Sequence, residues 1–131
     1  MDRKQLRDVP LFAQLSRHDL GMVAQLADEV DARAGEVLAR QGDIGHEFFV
    51  IEQGHVEVVR DGERIAELGP GDFFGEMALI SEERRTATVS ALDEVRCVVL
   101  SGPAFRGLKR TLPDVYETVR AEVARRQGTP A

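Results

Sequence analysis

The stretch "VEVVRDGERIAELG" (residues 56–69) decides the fold. Val56 and Val58 alternate with Glu57, an Asp61-Gly62 pair follows, and Ile65 and Leu68 resume the apolar positions beyond it. Alternation with a period of two places one set of side chains on the buried face of a strand. An Asp-Gly pair accepts the positive φ angles of a tight hairpin turn. The stretch is therefore expected to form an antiparallel hairpin. On either side, from Val30 to Leu100, short apolar runs are broken by "RAGE", "RQGDIG", "EQGH" and "LGPGD", turn-forming combinations at close spacing. Strands that follow one another without intervening helices favour an antiparallel sandwich or barrel over a parallel α/β sheet.

Helical signals bracket this region. In "LSRHDLGMVAQL" (15–26), Ser16 is placed as an N-cap, Asp19 stands at N3, and Leu15 and Leu20 are spaced for a hydrophobic staple, which predicts a helix from Arg17 to Ala27. After Leu100, Phe105 and Leu108 predict a short helix from Pro103. A last helix runs from Pro113 to Arg126, with Pro113 suited to N1 and a narrow stripe of Val115, Val119 and Val123. "QGTPA" (127–131) is expected to be a frayed tail. Within the strand region "GEMALI" (75–80) is the exception, a single helical turn between a glycine-rich loop and the strand "TATVSAL". The expected fold is one domain over residues 1–131, mainly β with flanking α. It is an antiparallel, jelly-roll-like β-roll over residues 30–100, with an N-terminal helical segment (1–29), a short helix inside the roll and two C-terminal helices (101–127).

Composition narrows the function classes. A chain of 131 residues can bury roughly two-thirds of the surface its unfolded form exposes, so it needs no metal or disulfide to hold a core. Hydrophobic residues make up 43% and charged residues 31%, the balance of a soluble globular domain. No apolar run approaches the ~20 residues that span a bilayer, and "MDRKQLRDVP" has no signal-peptide core, which predicts a cytoplasmic setting without membrane insertion. The formal net charge of -6 argues against direct nucleic-acid binding, so any anionic ligand needs a local positive site. The single cysteine, Cys97, lies inside the apolar run "VRCVVL" and is expected to be a buried small hydrophobe. His46 and His55 fall among strands and His18 in a helix turn, with no closely spaced histidine pair and acidic partner for a metal. No glycine-flanked serine or Cys/His pairing suggests nucleophilic catalysis, and binding without turnover is expected.

The chemistry concentrates in "FGEMALISEERRTATV" (74–89). Gly75 permits close backbone approach to a ligand, and the helical turn after it offers free N–H groups at its positive end, a combination that favours an anion. Arg85 is near enough on a returning strand to bring its planar donor fork to the same place, so a phosphate suits the site. Glu76 beside a phosphate would repel it, unless the ligand also presents a hydroxyl, because an ionised carboxylate only accepts hydrogen bonds. Thr86 adds a hydroxyl that can meet the phosphate or a base edge. The set asks for a compact sugar phosphate with a hydroxyl. Read singly, Glu76 is an ordinary helix-start acid and Arg84 a solvated strand arginine; Arg125 and Arg126 form the basic last turn that any helix favours.

"FGEMALISEERRTATV" resembles the phosphate-binding cassette of cyclic nucleotide-binding domains, and "RQGDIGHEFFVIEQGHVEV" and "LGPGDFFGE" resemble the glycine-punctuated strands of the same family. The resemblance extends from about Leu11 to Arg126 and implies a β-roll that holds cAMP or cGMP, with cAMP favoured although Thr86 is compatible with either purine. It implies that the Gly75 backbone and the Glu76 carboxylate meet the ribose 2′-OH, that Arg85 pairs with the cyclic phosphate, and that backbone N–H groups at Ala78 and Thr86 assist it. Met77 belongs to the same binding loop. Val58 and Ala66 become base-pocket candidates, and Arg125 or Arg126 lid residues on a final helix that closes over the base. The family often has a small residue and a proline before its arginine, whereas "SEERR" places Glu83 and Arg84 there, and Glu82 and Glu83 are expected to face solvent. The implied role is a non-enzymatic sensor acting on an attached effector domain or a separate partner protein, in the cytoplasm or at the inner membrane as part of a channel. The alternative is a degenerate β-roll that serves as a protein interaction module.

Overall fold

Two antiparallel sheets carry the fold in a computed structural model that describes residues 3–9, 12–13, 15–75 and 84–125. The strands are β1 (Ala27–Ala32), β2 (Val37–Ala39), β3 (Glu47–Gln53), β4 (Val56–Arg60), β5 (Glu63–Leu68), β6 (Phe73–Phe74), β7 (Thr88–Ala91) and β8 (Val95–Ser101). One sheet has the order β1-β8-β3-β6 and the other β2-β7-β4-β5. Four helices accompany them among the described residues: α1 (Arg3–Arg7), α2 (Arg17–Leu26), α3 (Gly102–Thr111) and α4 (Pro113–Arg125). The mainly β roll with flanking helices is the architecture the sequence predicts.

The expected hairpin is β4–β5. Asp61 and Gly62 take φ angles of 53° and 81°, the left-handed pair that a primed turn requires. Val56 and Val58 are fully buried, as their alternation demands. Ile65 does not follow the pattern and is 38% exposed. Val58 pairs with Ala66 but Val59 pairs with Arg64, so Ile65 is the extra residue of a β-bulge and the alternation slips there.

The runs "FFVI" in β3 and "CVVL" in β8 are apolar without alternation because their sheet is covered on both faces. Phe48, Val50, Phe73, Val98 and Leu100 pack towards the helices, with Leu6, Phe12, Leu20, Phe105 and Leu108. Phe49, Ile51, Phe74, Cys97 and Val99 point into the roll and meet Val56, Val58 and Val89 of the other sheet. Cys97 is thus a buried hydrophobe, and burial pushes its thiol up to about 12.

The helix boundaries follow their caps. The Ser16 hydroxyl accepts the Asp19 N–H at 3.1 Å, and Leu15 and Leu20 share one core cluster, as a capped and stapled helix requires. α2 stops at Leu26 rather than Ala27, and β1 begins at Ala27, three residues before Val30, where the roll was expected to start. The reason is pairing: Ala27 to Ala32 bond along β8, a partner about seventy residues away that local periodicity does not reveal. α1 was not expected; burial of Leu6 in the helix-side core anchors its five residues. α3 is capped by Ser101, which accepts the Ala104 N–H at 3.3 Å. α4 docks on α3 through Tyr116, whose ring centre lies 5.1 Å from that of Phe105. The side chains of Val115, Val119 and Val123, the predicted stripe, lie outside the described set, as does the predicted helical turn at 75–80 beyond Gly75. No helix among the described residues is long and apolar enough to cross a membrane.

Candidate functional site

Arg85 enters β7 from a segment that runs against the β2–β3 loop. Its N–H donates to the Asp43 carbonyl at 2.6 Å, and its own carbonyl accepts the Gly42 N–H at 2.9 Å. The guanidinium then passes between two glycines. A Cβ on Gly45 would lie 2.7 Å from Arg85 Nε, and a Cβ on Gly75 would lie 2.5 Å from Nη1 and 2.7 Å from the Glu47 carbonyl oxygen. Neither position can carry a side chain while Arg85 keeps this place. Gly75 also has φ +77°, a conformation that side chains resist. Arg85 Nη2 donates to the Glu47 carbonyl at 2.7 Å, and Cζ sits 5.8 Å from the centre of the Phe49 ring. The slot holds a planar cation beside the Phe49 ring.

The structure thus brings Gly75 and Arg85 together, and it gives the glycine a tighter reason than ligand approach alone: it makes room for the arginine. Gly45 performs the same task and escaped sequence reasoning; its signal was the second glycine of "RQGDIG". Thr86 is exposed, and its carbonyl accepts Arg60 Nε at 3.2 Å. Arg84 is exposed as expected, yet it is not merely solvated, since Nη1 donates to the Gly42 carbonyl at 2.7 Å. Arg85 also lines a cavity of about 230 Å³ with Arg40, Asp43, Ile44, His46 and Glu47.

Val58 and Ala66 face each other across β4 and β5; Val58 is fully buried in the roll and Ala66 half-buried. Arg125 is exposed at the end of α4. Glu76, Met77, Ala78, Glu82, Glu83 and Arg126 lie outside the described residues. Among the described residues no group of His, Cys, Asp and Glu side chains is arranged to hold a metal ion. His55 belongs to a structural pair far along the chain: Nδ1 lies 2.9 Å from Asp93 Oδ2, and the Asp93 carboxylate also accepts the His55 N–H at 2.7 Å. The hydrogen bond to Asp93 raises the His55 pKa, and the same contact lowers that of Asp93.

Comparison with known proteins bears on this geometry. The family model described as "Cyclic nucleotide-binding domain" matches residues 29–111. The chain is 36% identical over 124 residues to a cAMP-dependent protein kinase regulatory subunit of Schizosaccharomyces pombe, covering 94% of this chain and 29% of that protein. It is 39% identical over 122 residues to a cyclic nucleotide-gated potassium channel of Rhizobium etli, covering 93% of this chain and 34% of the channel. The crystal structure of the N-terminal domain of a Streptomyces coelicolor transcriptional regulator superposes with a TM-score of 0.78 at 32% identity, covering 93% of this chain and 89% of that one. The chain spans about a third of the length of these curated relatives.

Proposed function

This chain belongs to the cyclic nucleotide-binding domain family, and we propose that it is a regulatory module that binds cAMP in preference to cGMP and passes the binding event to its C-terminal helix. The observation that supports this reading is the slot between Gly45 and Gly75, which sets the Arg85 guanidinium; on this reading that guanidinium grips the cyclic phosphate. Glu76 would accept the ribose 2′-OH, and N–H groups of Ala78 and Thr86 would assist Arg85 at the phosphate. Val58 and Ala66 would border the base.

The relatives' printed names support the ligand class: one is cAMP-dependent, the other cyclic nucleotide-gated. An arginine that meets a phosphate makes charge-assisted, geometrically demanding hydrogen bonds, so the ligand's differential affinity for two arrangements of the loop can drive a population shift. α4 meets α3 at the Phe105–Tyr116 ring contact, and on this reading it is an element with two docking positions. On that reading Arg125 or Arg126 would approach the base when α4 closes. The effector is an attached domain or a partner protein in the cytoplasm or at the inner membrane, and the chain itself carries no catalysis.

The deciding experiment is calorimetric titration with cAMP and then cGMP, after unfolding and refolding the protein to remove carried-over nucleotide. Micromolar or tighter binding, weakened about tenfold to a hundredfold in Arg85→Ala, is the expected outcome. No binding to either nucleotide would refute the reading and bring the interaction-module alternative forward. Backbone chemical shifts of α4 that stay unchanged on saturation would refute the helix movement alone.

A further inference from the structure

Residues 41–44 run antiparallel to residues 84–88. Ile44 bridges Arg84, the two backbone groups of Arg85 bond to Gly42 and Asp43, and the Gln41 N–H donates to Thr88 Oγ1 at 3.0 Å. The backbone position of Arg85 is therefore inherited from this loop. Yet Gln41, Gly42, Asp43 and Ile44 are all exposed, so core packing does not anchor the loop at this end. Besides its bonds to residues 84–88, the loop is tied to the second sheet's far corner by the Gln41 side-chain amide. Its Nε2 donates to Asp61 Oδ1 at 2.7 Å, and its Oε1 accepts the Asp61 N–H at 2.9 Å. Asp61 is the first left-handed residue of the β4–β5 turn, a corner of the second sheet. From the same corner, Arg60 Nε reaches the Thr86 carbonyl.

We propose that Gln41 and Asp61 are positioning residues of the nucleotide site: their two-point contact locks the 41–44 loop, and with it the backbone of Arg85, to the β4–β5 corner. The inference rests on the reading of Arg85 as the phosphate ligand. Two hydrogen bonds between one amide and one aspartate fix distance and orientation together, which a single bond does not. A guanidinium must meet a phosphate with its fork aligned, and a misplacement of about 1 Å in such a site is felt as a loss of roughly a hundredfold. The β2–β3 loop thereby belongs to the binding machinery although none of residues 41–44 was a predicted ligand contact.

The test uses Gln41→Ala, Asp61→Gly, which keeps the positive φ without strain, the double variant, and Asp61→Asn, which keeps an oxygen acceptor and tolerates the same backbone. Native-state hydrogen exchange at the Gly42 and Arg85 amides reads the clamp directly. Calorimetric titration with cAMP reads its consequence. Gln41→Ala and Asp61→Gly are each expected to speed exchange and weaken cAMP about tenfold, with the double variant no weaker than either single and Asp61→Asn close to wild type. His55→Ala, which breaks a contact at the far turn, serves as the control that lowers melting temperature without changing affinity. Unchanged exchange and affinity in Gln41→Ala would overturn the proposal, as would losses that multiply in the double variant or an equal affinity loss in His55→Ala. A wild-type protein that binds neither cAMP nor cGMP would overturn the nucleotide reading instead, and exchange would then decide separately whether the clamp exists.

Discussion

Replacing Gly45 by alanine perturbs the arginine slot while leaving the side chains of both core clusters in place. The added Cβ would stand 2.7 Å from Arg85 Nε, 2.8 Å from Cζ and 2.9 Å from Cδ, whereas ordinary contact begins at 3.4 Å. The guanidinium must therefore retreat, and reaching ordinary contact from Nε takes 3.4 − 2.7 = 0.7 Å. Gly45 lacks the positive φ of Gly75, so alanine brings no backbone strain, and the atoms it meets are the far end of a flexible side chain. Weakening of the Arg85–Glu47 bond at this buried glycine should cost about 1 kcal/mol of stability, well short of a core truncation. Binding is different. A displacement of that size lengthens the 2.7 Å bond from Arg85 Nη2 to the Glu47 carbonyl and moves the donors that a phosphate would need. Loss of one charge-assisted hydrogen bond, about 1.5–3 kcal/mol, corresponds to roughly tenfold to hundredfold weaker binding. Thermal melting and calorimetric titration with cAMP on the same preparation measure both effects. A variant that binds like wild type would show that the slot does not set the arginine, and one that melts as early as a core truncation would show that the slot is part of the core.

The remaining predictions concern stability and reactivity. Asp93→Asn keeps an oxygen for the His55 N–H but removes the charge facing the imidazole. The raised His55 pKa makes its contribution full below the ordinary value of 6.5 and lost as pH rises through the folded value. The lowered Asp93 pKa makes its contribution present above 3.8 and lost as pH falls through the folded value. The melting-temperature gap between wild type and Asp93→Asn should therefore be widest near pH 5 and narrow as pH rises through the folded His55 value, leaving the part that the His55 N–H contributes; a gap independent of pH would refute the ion pair. Phe48→Ala removes a fully buried ring that packs 5.5 Å from Phe73, and urea unfolding should show a loss of about 3–5 kcal/mol. A loss below about 1 kcal/mol would mean that the helix-side core is not packed as described. Cys97, buried with its thiol pushed up to about 12, should resist iodoacetamide in the native protein and react only on unfolding. Rapid native alkylation would place it at the surface.

How far the fold was legible depends on how local its causes are. The Asp61-Gly62 hairpin, the Ser16 cap and the Pro103 and Pro113 helix starts were readable because each is decided within a few residues by backbone sterics or a short hydrogen bond. β1 was not, because "ADEVDA" shows no strand alternation by itself and becomes a strand by pairing with β8. Arg96 of β8 then bonds Asp31 at 2.9 Å, a contact that turns two surface charges into part of the sheet. Ile65 was misplaced for a related reason, since a bulge resets the alternation at a point that propensity does not mark.

At the site the division is sharper. The order of Gly75, Glu76, Arg85 and Thr86 along the chain was enough to raise a sugar phosphate as the expected ligand class, because donor forks, acceptor-only carboxylates and side-chain-free glycines combine at such sites. That much belongs to the chemistry of the residues. Only tertiary structure decided that Gly45 shares the arginine's slot and that Gln41 and Asp61, twenty residues apart, hold the loop that carries its backbone contacts. Those relations come from loops brought together by the two sheets, and the distances that define them exist in no segment of the chain until the roll has closed.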